Sequence, residues 1–171
     1  MSMRKEFLRR IGDVFDLIRS GWLSHKETFG QTEIRGSRIF CEKVKAALTL
    51  LKEKDAENCD VVNKNLLLII QGVTTSLSPG MPDSGLMLGK GESFQSSITW
   101  LAGLLVYEAY RAQLYKDYKD QHKGVFKIPE DAYSGNKAYE FHYNCLRRIG
   151  ASYEELEHLS RFIAKQNSPK S

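Results

Sequence analysis

Apolar positions recur along most of this chain at helical spacing. In residues 4–19, Phe7, Ile11, Val14 and Ile18 keep one face, with Leu8 and Phe15 beside them, so an amphipathic helix is predicted, stopped by Gly21. Residues 22–36 are mixed and polar and read as a loop or a short turn of helix. Ser37 can cap a second helix running to about Lys54, whose stripe is Phe40, Val44, Ala47, Leu48 and Leu51. Cys41 lies beside that stripe as a small packed hydrophobe. Residues 66–70, LLLII, form a continuous apolar run that suits a strand buried on both faces. Residues 72–92 are rich in Gly and Pro and read as loop, with a short strand at Leu86–Leu88.

Ser93 is expected to cap the longest helix, from about Phe94 to Lys119. Its first half, SSITWLAGLLV, is apolar on nearly all sides, as in a central buried helix. Its second half turns amphipathic and then polar, and the transition falls at Tyr107–Arg111. Gly124 to Pro129 breaks the chain. A further helix runs from Asp131 or Lys137 to Ile149, with Ala138, His142, Cys145 and Ile149 as its inward stripe. Gly150 ends it, and Ser152 with Glu155 forms a capping box for a last helix to about Gln166. The resulting expectation is an α+β fold, mostly helical, with a small sheet or hairpin. It comprises an N-terminal helix and connection (1–36), one domain (37–166) and a flexible tail (167–171).

Composition narrows this picture. Of 171 residues, 42% are hydrophobic and 11% aromatic, which is a globular chain and not a disordered one. The longest apolar run, Ile98 to Val106, falls far short of the roughly 20 residues a membrane span needs. Net charge is +4 and the charges are interspersed, which argues against a nucleic-acid partner. The segment YKDYKDQHKGVFK interleaves lysines with tyrosines in the manner of single-strand binders, but Asp117 and Asp120 dilute it. Three cysteines without metal-ligand spacing argue against both a disulfide scaffold and a structural zinc site. The opening MSMRKEFLRR has no apolar signal core, so a cytoplasmic protein is expected, or one exported by a signal-peptide-independent route. GLMLGKGE is no phosphate-binding loop, because its spacing is wrong and Gly follows Lys90.

The stretch ITWLAGLLVYEAYRAQLY resembles the active-site helix of small zincin metallopeptidase domains of the bacterial toxin or effector type. There an apolar W-L-A-x-x-L-V run leads into H-E-x-x-H. The strand and Gly-rich segment before it, and the Pro129–Gly135 stretch and LRRIGAS after it, extend the likeness over residues 37 to 164. The resemblance implies a zincin-like fold. In such a motif two histidines one helical turn apart grip zinc, and the glutamate takes a proton from the metal-bound water.

Here the five motif positions are Tyr107, Glu108, Ala109, Tyr110 and Arg111, so only the general-base glutamate is kept. A neutral phenol is a poor zinc ligand, and arginine has no lone pair to give. Arg111 is expected to replace the metal charge and to form a buried pair with Glu108. A third ligand is also in doubt: Glu140 points away from the inward stripe, and Gly135 lies closer to that phase. Metal and cofactor are therefore expected to be absent. His142, facing inward, could still hold some metal with Glu108, but it reads better as a core histidine hydrogen-bonded to a neighbour. Tyr107, Tyr110, Tyr115 and Tyr118 share one helix with Arg111, the composition of binding hot spots, although packing of these rings on neighbouring helices is the simpler reading. The leading expectation is an inactive zincin-like domain that binds a protein partner. A hydrolase using Glu108 with a non-standard or absent metal set, and a small nucleic-acid-binding module, remain as alternatives.

Overall fold

A computed structural model of the chain describes residues 25–78, 85–122 and 136–167. The expected helix at 4–19, the break at Gly124–Pro129, Gly135 and the tail lie outside the described residues. Strands β1 (His25–Phe29) and β2 (Thr32–Gly36) form a hairpin. Helices α1 (Arg38–Lys54) and α2 (Ala56–Asn65) follow, then β3 (Leu68–Gly72), β4 (Ser76–Ser78) and β5 (Gly85–Gly89). A π-helical turn (Gly91–Gln95) leads into α3 (Ile98–Gln121), α4 (Asn136–Ile149) and α5 (Tyr153–Asn167). The sheet order is β1-β2-β3-β5-β4, with β2, β3 and β5 parallel and the two outer strands antiparallel to their neighbours.

The α+β class stands, and several local readings change. Residues 25–36 are a hairpin rather than a loop, because burial alternates along them and Gly30, at φ 59, makes a left-handed turn. The strand read at 66–70 starts at Leu68, since Leu66 closes α2. Burial alternates along it: Ile69 and Gln71 are buried against the core, whereas Leu68 and Ile70, on the other face, are half-buried. The loop-rich segment contains the short strand β4 and a β5 longer than Leu86–Leu88. Ser93 is not the cap of the long helix. Its hydroxyl donates to the Gly89 carbonyl, and Ser97 caps α3 by accepting from the Trp100 N–H at 2.9 Å. Helix α2 is absent from the sequence reading altogether.

Other signals act as read. The Ser37 hydroxyl accepts from the Phe40 N–H, and Gly150 leaves α4 at φ 80. The capping box closes both ways, Ser152 N–H to Glu155 and Glu155 N–H to Ser152. Glu155 also accepts from Ser97 and Thr99, so one carboxylate ties together the N-termini of α3 and α5. Asp55 joins α1 to α2, takes the Asn58 amide at 2.6 Å and holds Arg148 of α4 at 3.2 Å.

Helix α3 is the axis of the core. Leu101, Ala102, Leu105, Val106, Ala109 and Ala112 are fully buried on several sides of it, against α1, α2, α4 and the inner sheet face of Ile34, Ile69, Leu86 and Leu88. Close approach of α3 and α4 depends on Gly103. A β-carbon there would meet the His142 ring at 2.6 Å and Leu146 at 2.7 Å. Gly103→Ala is therefore expected to destabilise the fold by about 1–3 kcal/mol through overpacking, despite alanine's better helix propensity. Urea unfolding followed by circular dichroism measures it.

Candidate functional site

The turn of α3 that carries the motif positions is buried. Glu108 is 3% exposed and Tyr107 9%. The Arg111 side chain is only slightly more open, at 15%. One turn of helix brings the guanidinium over the carboxylate: Arg111 Nη1 donates to Glu108 Oε2 at 3.0 Å and Oε1 at 3.3 Å. The Arg111 Cζ also sits 5.5 Å from the Tyr107 ring centre, within cation–π range. A charge pair this buried is held out of water, and each ion offsets part of the other's desolvation cost.

The inner face of α4 closes the site from the other side. Tyr107 stacks on Tyr139 at 4.7 Å, and Tyr139 in turn meets Phe162 of α5 edge-on at 5.6 Å. Burial pushes the Tyr107 phenol well above its ordinary value, with the neighbouring Tyr139 acting in the same direction and Arg111 opposing. It is a neutral ring packed in an aromatic column. His142 lies between Trp100, at 5.2 Å, and Tyr107, at 5.9 Å, over Gly103. It is a core histidine, as expected, and its Nε2 is buried with no hydrogen-bond partner among the described residues. Burial drops the ring to about 4, so it is neutral at ordinary pH.

Zinc does not fit this donor set. A guanidinium covers the only carboxylate at the motif, and the tyrosine is stacked and protonated. Among the described residues no group of three or more His, Cys, Asp or Glu could hold a metal ion. Glu140 is exposed on the far side of α4, as its phase predicts. The three thiols are free and buried, and burial pushes Cys145 up to about 12, so they are packed apolar groups rather than ligands.

The remaining tyrosines spread outward. Tyr110 lies flat on Phe141 with ring centres 3.5 Å apart, and Phe141 is at the surface. Tyr115 is half-buried, and Tyr118 stacks on His122 at 4.1 Å. In the Lys-Tyr segment, Lys116 donates to Asn65 at 3.4 Å, so part of that pattern is internal packing. Sequence reasoning missed Tyr139, although its three-residue spacing from His142 places both on the α3-facing side. No described helix is long and apolar enough to cross a membrane. Comparison with protein-family models, with curated proteins and with solved structures finds no match to this chain.

Proposed function

We propose that this chain is a zincin-like domain without metal chemistry, serving as a protein-binding module. The supporting observation is the Arg111–Glu108 pair. A base must be able to take a proton from its water, and this carboxylate instead faces a fixed cation in a site packed with rings. Tyr107, Glu108 and His142 are too deeply buried to touch a partner. Contact therefore falls to the exposed rim, where Phe141 stacks on Tyr110, and where Asn144, Arg147 and Arg148 line a depression farther along α4. Aromatic and arginine side chains grouped in this way are typical anchors of protein interfaces.

Two measurements test the proposal. Protein incubated with zinc and then desalted is expected to retain less than about a tenth of an equivalent, since no three-ligand group is found among the described residues. Stoichiometric zinc that disappears in Glu108→Ala, together with peptide hydrolysis lost in Glu108→Gln, would overturn it. Peptides selected by display against the folded protein are expected to lose about tenfold or more in affinity for Phe141→Ala, the usual size of a hot-spot truncation.

A further inference from the structure

We infer that the outer face of the β3–β5 pair is a docking surface for this chain's own N-terminal segment, residues 4–19. The register pairs Ile70 with Met87 and Ile69 with Leu86 across two parallel strands. Alternation along β3 and β5 sends Ile69, Leu86 and Leu88 into the helical core and Leu68, Ile70 and Met87 to the opposite face. Those three are half-buried and lie outside the core cluster that the helices build. Met87 lies across β3, its Cγ 2.1 Å from where a Gly72 β-carbon would stand, so the patch is continuous over both strands. Parallel strands with apolar side chains on both faces are normally covered on both. A charged cluster of Lys26, Glu33 and Arg35 on β1 and β2 borders the patch.

Length and pattern of the preceding chain select the occupant. β1 opens at His25, on the strand row next to β2 and two strands from β3. Residues 4–19 carry Phe7, Leu8, Ile11, Val14, Phe15 and Ile18 at helical spacing, with charged residues between them. A helix of that length is about 24 Å long, and five strands at ~4.8 Å spacing are about 19 Å across. Residues 20–24 span up to about 17 Å when extended, more than the roughly 10 Å separating β1 from β3. The segment therefore reaches the patch and matches it in size and polarity.

The test uses the full chain with Met87→Cys, because the three native thiols are buried. A maleimide probe reports access to position 87 under native conditions, with circular dichroism confirming the fold. Adding Ile11→Asp, or separately Val14→Asp, is expected to speed labelling at least tenfold. Adding Asp13→Ala, on the opposite side of the predicted helix, should leave it unchanged. Equal rates in all four proteins would overturn the inference. So would protection that grows with protein concentration, which would make a second copy the occupant.

Discussion

Arg111→Ala is expected to lower folding stability by about 3–5 kcal/mol, the cost of leaving a buried carboxylate without its cation. The Glu108 side chain is 4% exposed, so solvent cannot replace the guanidinium that donates to both of its oxygens. Arg111→Lys should recover only part of the loss. A lysine ammonium is a more strongly hydrated point charge and lacks the planar face that Arg111 lays near Tyr107. The informative variant removes both charges. Glu108→Leu with Arg111→Met keeps the volume and leaves no buried ion, and it should fall within about 1–2 kcal/mol of the native protein or exceed it. Urea unfolding of these proteins, with Glu108→Leu and Arg111→Met made singly to complete a double-mutant cycle, measures the effects. A cost below about 1 kcal/mol for Arg111→Ala, the range of an exposed pair, would contradict the burial seen here.

The same pair shows how far sequence reasoning reached. Positions 108 and 111 are three residues apart on a helix, so their contact follows from periodicity alone. Their burial, expected only through the resemblance, does not follow from spacing: α4 and α5 supply it, with Tyr139 stacked on Tyr107 and Phe162 behind it. Helices α1, α3, α4 and α5 were legible because each carries a broad apolar stripe or a clear cap. Helix α2 was not, since only Cys59 and Val62 are apolar among its buried residues, beside Asn58 and Asn65. The β1–β2 hairpin escaped for a related reason. Its alternation is carried largely by polar residues such as Glu27 and Thr32, which hydropathy does not register. For β3 the run LLLII reads as uniformly apolar, and nothing within it distinguishes the face that helices cover from the face they leave.

His142 leads to the second large effect, a loss of stability in mild acid. The ring is buried between Trp100, Tyr107, Gly103 and Leu146, none of which offers it a charge. Burial therefore favours the neutral form and lowers its protonation point from 6.5 to about 4. Unfolded, the same ring takes a proton near 6.5. Between those values the unfolded chain binds more protons than the folded one, so stability rises with pH across this window. Its contribution is complete above pH 6.5, falls as pH drops toward 4, and changes no further below that. The total is about 3 kcal/mol at 1.36 kcal/mol per pH unit. Carboxylates titrate in the lower part of the same range, so the effect is read as a difference between proteins. His142→Leu fills a similar volume and gives up no hydrogen bond at Nε2, so at pH 7 it should cost less than about 1.5 kcal/mol. Between pH 7 and 4 the native protein should lose about 3 kcal/mol more than this variant. Parallel acid losses in the two proteins would mean that the ring is protonated, or reached by water, in the folded state.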